Sequence, residues 1–177
     1  INLAAANDLP TTGDQTISGT EDVADMYASG DFTYADVDSD AITHVKITTL
    51  ESAGTLFLDG DDDDAWDSGE DITLNQIIAI GVITNLGFVG ASNANGNSYA
   101  TFSFKVSDGT AYSTNAGTNT INLAAVQDLP TTGDQTISAT EDVADMYASG
   151  DFTYADVDSD SITHVKITTL ESAGTLF

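Results

Sequence analysis

The chain has 177 residues, with 29 acidic side chains against three lysines and no arginine, a formal net charge of −26. A field of that sign repels phosphate and anionic lipid headgroups, which excludes nucleic-acid binding and disfavours membrane-surface binding. Hydrophobic residues at 41% and aromatic residues at 8% set the chain apart from acidic disordered tails, and the absence of cysteine removes disulfides and thiolate zinc sites. No apolar run approaches the ~20 residues that span a bilayer, and the first residues lack the basic start of a signal peptide, so membrane insertion is not expected.

Residues 1–57 return at 121–177 with an offset of 120, and only four positions differ: Ala6/Val126, Asn7/Gln127, Gly19/Ala139 and Ala41/Ser161. A period this long exceeds a solenoid repeat and has the size of an independent domain. The joints are expected at Asn7-Asp8-Leu9-Pro10 and Gln127-Asp128-Leu129-Pro130, where proline fixes φ and stiffens the connection. The expected organisation is therefore the last strand of a preceding repeat over residues 1–7, a complete repeat over 8–128, and the first half of the next over 129–177. Such a half-repeat lacks the residues corresponding to 58–120, so it is expected to fray or to exchange strands with a neighbouring chain.

In chain order, the first strand signals fall at residues 15–18 and 26–28. The stretch 42–48 is β-branched, with Val45 and Ile47 on one face and His44 and Lys46 on the other. Residues 55–58 form a further strand, residues 74–78 one helical turn, and residues 83–89 another strand. Strict alternation places Phe102, Phe104 and Val106 on one face of a strand over 99–106, and a last strand covers 118–123. Turn signals stand at Asn95-Gly96-Asn97 and Ser107-Asp108-Gly109. About seven short strands with polar turns predict an all-β, Greek-key β-sandwich of immunoglobulin-like type.

The run Asp31-Phe32-Thr33-Tyr34-Ala35-Asp36 leads into Val45-Lys46-Ile47-Thr48-Thr49-Leu50 and Ala53-Gly54-Thr55-Leu56-Phe57-Leu58. Later come Asn93-Ala94-Asn95-Gly96, the stretch from Tyr99 to Gly109, and a closing Asp-Leu-Pro. Together these resemble the cadherin-like (chondroitin-sulfate-proteoglycan-type) immunoglobulin-fold tandem repeats of giant bacterial surface adhesins, including the repeats-in-toxin adhesins. The resemblance implies an extracellular extender, stiffened by calcium, that holds a distal binding domain away from the cell. It covers nearly the whole unit. The long acidic stretch from Asp59 to Asp71 departs from the short hairpin expected there.

Three acidic constellations are candidate cation sites, since calcium takes six to eight oxygens, mostly carboxylates and carbonyls. Asp36, Asp38 and Asp40 alternate on a tight loop; the alternative is an ordinary solvated turn. Asp59, Asp61, Asp63, Asp67 and Glu70 fall on positions 1, 3, 5, 9 and 12 of an EF-hand loop, but Asp64 stands where that loop wants glycine and the flanks read as strands. A calcium-binding hairpin loop and a solvated acidic loop both remain open there. At the joints, Asp8 and Asp128, with Glu21 and Asp22 or Glu141 and Asp142 near the same domain end, form the third set; sharing of metal by neighbouring repeats at such joints is what the resemblance implies. Asp108 is a further candidate or a plain turn residue.

The remaining residues favour structural roles. His44 and His164 occupy one repeat position beside a lysine, and Trp66 is expected to pack the acidic loop onto the sheet. With no Cys, no Arg and one His per unit, an enzyme is not expected. The expected function is a calcium-stabilised structural extender, its partners the neighbouring repeats of the same chain. The alternative is a calcium-dependent carbohydrate- or ligand-binding module that uses Trp66, Tyr99 or Tyr112 as a stacking surface.

Overall fold

The computed structural model describes residues 6–176. The strand expected over residues 1–7 falls mainly on 1–5, outside the described residues. The chain divides into two compact units, Ile1–Val126 and Gln127–Phe177. Among the described residues no helix is long and apolar enough to cross a membrane.

The first unit is all-β. Its described strands are β1 (Gln15–Thr20), β2 (Asp25–Met26), β3 (His44–Thr49), β4 (Thr55–Leu58), β5 (Ile77–Ala79), β6 (Leu86–Val89), β7 (Gly96–Ser107) and β8 (Gly117–Ala124). They form a five-stranded sheet in the order β1-β8-β7-β3-β5 and a three-stranded sheet in the order β2-β6-β4. Alternation decides which side chains enter the space between the sheets. Ala100, Phe102, Phe104 and Val106 of β7 are buried while Thr101, Ser103 and Lys105 are half-exposed, and Val45 and Ile47 of β3 are buried in register with Val106 and Phe104. The opposite sheet supplies Leu56, Leu86 and Phe88. Two rings from the connection between β2 and β3 pack edge to face on β7, with Phe32 to Phe104 at 5.0 Å and Tyr27 to Phe102 at 5.8 Å between centroids.

One pairing fixes the polarity of the unit. β1 runs parallel to β8, from Gln15 opposite Asn119 to Thr20 opposite Ala124, and β7 runs antiparallel to β8. The start of β1 and the end of β7 therefore share a leading end. The end of β1, the start of β7 and the exit of the chain from β8 share the trailing end.

Two expected elements differ. Residues 74–78 do not form a helical turn: Asn75 takes φ 69°, its amide donates to the Ile47 carbonyl, and the chain continues as β5 beside β3. Residues Ile80–Asn85 wind as a 3-10 segment before β6, so only the second half of the expected 83–89 strand is extended. In both places the edge of β3 and the need to cross between sheets overrule local preference.

The second unit repeats the sequence of the first unit's opening without its ladder. Among its described residues the regular structure is a 3-10 turn, Ser149–Asp151, and a bridge between Thr131 and Ala155. Residues 164–169 have the same six side chains as β3 yet form no strand. Backbone pairing explains this: β3 hydrogen-bonds to β5 and β7, and 164–169 has neither neighbour. Val165 and Ile167 are 47% and 50% exposed, where Val45 and Ile47 are 0% exposed.

Candidate metal centre

At the leading end, the loop after Ala35 is organised by Asp36. Its Oδ1 accepts the amides of Asp38 at 2.8 Å and Asp40 at 3.2 Å, and Ser39 takes φ 66° to complete the turn. This turn brings one carboxylate oxygen each from Asp36, Asp38 and Asp40 within 4.8 Å of one another. Asp36 Oδ2 is buried and accepts no hydrogen bond. An ionised oxygen withdrawn from water without a donor is costly unless a cation faces it. The donor set is all oxygen and suits a hard divalent ion.

The linker is tied to the same loop. The Asp8 amide donates to Asp38 Oδ2 at 2.6 Å, and Asn7 Nδ2 donates to Asp108 Oδ2 at 2.9 Å. The Asn7 bond first, then the amide of Ala111, with that of Thr110 adding to it against a partial desolvation, holds the Asp108 carboxyl below the usual range. Tyr34 donates its hydroxyl to the Asp40 carbonyl at 2.8 Å; burial first, then the charges of Asp36, Asp108 and Asp40, push that hydroxyl's pKa upward. In the second unit the Asp128 amide donates to Asp158 Oδ2 at 2.7 Å, and the Asp160 amide to Asp156 Oδ1 at 3.1 Å.

The long acidic loop leaves β4 and closes on itself. The Leu58 amide donates to the Glu70 carbonyl and the Ile72 amide to the Leu56 carbonyl, so the loop has a sheet-like neck rather than flanking helices. Asp59, 3% exposed, accepts the amides of Asp61 and Asp62 on Oδ1 and of Asp64 on Oδ2. Glu70 bridges the far side, accepting the Gly60 amide on Oε1 and the Asp67 amide on Oε2. Asp64 adopts φ 59°, the left-handed turn for which glycine is usual at that position.

Two overlapping triads result, Asp59-Asp61-Glu70 and Asp61-Asp63-Asp67, each with an oxygen per residue inside 4.8 Å. Their electrostatics are opposed. Burial alone would raise Asp59, but the amides of Asp64, Asp62, Asp61 and Asp63 outweigh it and hold its carboxyl below the usual range. Asp63 first, then partial desolvation, then Asp67, Glu70 and Asp59 push Asp61 upward. Like charges at this spacing repel, and a cation between them removes the repulsion. Trp66 is 44% exposed and donates Nε1 to Asp71 Oδ1 at 2.8 Å.

Glu21 and Asp22 lie at the trailing end, at the opposite end of β1 from Asp8, and do not join it within one unit. Glu21 is buried; its Oε1 accepts the Val126 amide at 2.7 Å and its Oε2 accepts Asn95 Nδ2 at 2.8 Å. Asp22 Oδ1 accepts the Asn93 amide at 2.8 Å. Glu21 thus anchors the chain as it leaves β8. Asn95, Asn85 and Tyr34 support these loops without having signalled it in sequence, because each acts across more than one element. Asn85 Nδ2, for instance, donates to the Asp59 carbonyl at 3.2 Å. No family model, curated protein or solved structure matches the chain.

Proposed function

We propose that this chain is a segment of a tandem array of calcium-stabilised extender repeats from a large bacterial cell-surface adhesin, non-enzymatic, with neighbouring repeats as its partners. The observation that carries the reading is the leading-end loop: the linker amide is bound to Asp38 while the neighbouring Asp36 holds a buried oxygen with no hydrogen-bond donor. A cation seated on Asp36, Asp38 and Asp40 would couple metal binding to the stiffness of the linker. A repeat followed by the near-identical opening of the next, and linker attachment at the end opposite the chain's exit, suit an extender. The strand orders support an immunoglobulin-type Greek key, since β8-β7-β3 follows the G-F-C order and β2-β6-β4 the B-E-D order of that fold, while β1 and β5 extend the first sheet at its two edges.

Calcium is preferred over magnesium in this reading because the loops offer many carboxylates, which suits an ion taking six to eight oxygen ligands. At about 100 times its Kd, one site binding only the folded state adds about 2.7 kcal/mol. The test is a thermal melt of the chain in excess EDTA, then in millimolar calcium, with magnesium as control. A calcium-specific rise that Asp36→Asn reduces supports the reading, and an unchanged melt overturns it. Trp66, with its ring exposed, carries the competing carbohydrate-binding reading. Saturable sugar binding quenching its fluorescence would favour that reading.

A further inference from the structure

The turn that enters β7 carries a reactive step with no part in the acidic loops. Asn95 is the one asparagine of the sequence followed by glycine. It is exposed and stands between the turn at residues 92–93 and the first residue of β7. Gly96 takes φ 140°, and a Cβ built on it would meet no atom within 4 Å, so the space beside it is open. The β7–β8 ladder shifts register between Gly96 and Ala100, which leaves the Asn95-Gly96 peptide less restrained than the strand from Ala100 onward. The Asn95 side chain is the donor to a buried acid. Its Nδ2 donates to Glu21 Oε2 at 2.8 Å, and Glu21, 1% exposed, accepts the Val126 amide on Oε1 at 2.7 Å.

We propose that Asn95 is a self-modification site, and that its conversion to aspartate or isoaspartate loosens the chain where it leaves β8. The Gly96 amide nitrogen attacks Asn95 Cγ. An N–Cγ bond forms, the Cγ–Nδ2 bond breaks, and Nδ2 leaves as ammonia with the amide proton. Water then opens the cyclic imide at either carbonyl, giving aspartate or isoaspartate. The sum is asparagine and water to an acid and ammonia, with no oxidant or reductant. Glycine permits the attack because no Cβ crowds its nitrogen. In the product an oxygen that cannot donate replaces Nδ2, so a buried Glu21 oxygen loses its hydrogen bond and faces a new negative charge. Isoaspartate also adds one carbon to the main chain at the entrance to β7. The two Asp-Gly steps are restrained, because cyclisation from an acid needs the neutral carboxyl. Asp59 accepts the amides of Asp61, Asp62 and Asp64, and Asp108 accepts Asn7 Nδ2 and the amides of Thr110 and Ala111, which favour the charged form.

The test is to hold the 177-residue chain at mildly alkaline pH, below its melting temperature, and to follow each asparagine by peptide mapping and mass spectrometry. Residue 95 should convert before every other asparagine, with isoaspartate and aspartate both formed and a rate independent of protein concentration. Gly96→Ala should slow the conversion several-fold. Asn95→Gln, whose longer side chain closes the ring poorly, should stay intact and keep a donor for Glu21. The aged chain and Asn95→Asp should both melt lower than the fresh chain, with the Val126 amide exchanging about tenfold faster or more. Asn95→Ala, which removes the donor without adding charge, should fall between them and the fresh chain. An Asn95 that survives in the folded chain while a peptide of residues 91–100 converts overturns the site. Conversion that leaves the melt and the Val126 amide unchanged overturns the proposed loosening. The reaction needs no metal, so its failure leaves the calcium reading to its own test.

Discussion

The amide of Asp8 donates to the carboxylate of Asp38 across 2.6 Å, and the amide of Asp128 donates to that of Asp158 across 2.7 Å. The same linker-to-loop bond forms in both copies, although the second unit lacks the sheet that supports the first. The loop and the linker are therefore a local motif that needs only the residues from about Asp8 to Asp40. Replacing Asp38 by Ala removes a charged acceptor at the surface. The expected cost in the metal-free chain is about 1 kcal/mol, read by urea denaturation. Loss of most of the calcium-induced gain in melting temperature is expected alongside it.

Asp61 is predicted to act with opposite sign with and without metal. Its carboxyl is raised by Asp63 first and then by partial burial and the other carboxylates of the loop, so its charged form strains the metal-free fold. Asp61→Asn should raise the metal-free melting temperature and reduce the further rise on adding calcium. A variant that lowers stability in EDTA would contradict this account of the loop.

The pH dependence follows from the same pair. Asp59 titrates below its ordinary value when folded, so its stabilising effect is full above the unfolded value and is lost as pH falls through the folded one. Asp61 titrates above its ordinary value, so its penalty is relieved on the way down, before Asp59 is lost. Melts in EDTA from neutrality to about pH 3 should show Asp61→Asn with a smaller initial gain and an unchanged final fall. Asp59→Asn should remove part of that final fall and speed amide exchange at Asp61, Asp62 and Asp64.

Gly19 tests the tolerance of the trailing end. A Cβ built there collides with the Asp25 carboxylate, which accepts the Thr20 amide at 3.1 Å. The repeat has Ala139 at the equivalent position. Because the obstacle is the tip of a rotatable side chain, Gly19→Ala should cost under about 1 kcal/mol. Asp25 should swing away and free the Thr20 amide, which hydrogen exchange would register. A loss as large as that of a core truncation would mean that the backbone, rather than Asp25, must move.

Phe104→Ala is the reference for such a truncation. The ring is fully buried against Phe32 and stands opposite Ile47, so removal should cost about 3–5 kcal/mol by denaturant melting. The variant should also retain its calcium response in proportion to the fraction still folded, because Phe104 is a fully buried core ring packed on Phe32.

Much of the fold was legible along the chain. The alternation over Tyr99 to Val106 and 118–123 marked β7 and β8, and residues 55–58 matched β4. β7 and β8 alternate because one face is buried and the other wet, a constraint written residue by residue. Residues 74–78 misled because Leu74, Ile77 and Ile78 satisfy a helical spacing as well as an edge strand, and the neighbouring edge of β3 decides between them. The Asp36-Asp38-Asp40 loop was readable because its ligands are near neighbours. The burial of Glu21 was not, since it depends on Asn95 and Val126, brought to it by the parallel pairing of β1 with β8.

By itself the sequence determined the repeat, the acidity, the all-β pattern and the carboxylate-rich loops, all of which are local or compositional. Only the tertiary structure decided whether a given segment is a strand. His44–Thr49 is paired and its Val45 and Ile47 are buried, while residues 164–169, identical in sequence, stand open. The difference lies in whether β5 and β7 are alongside, because a strand's hydrogen bonds and half of its apolar contacts belong to its neighbours.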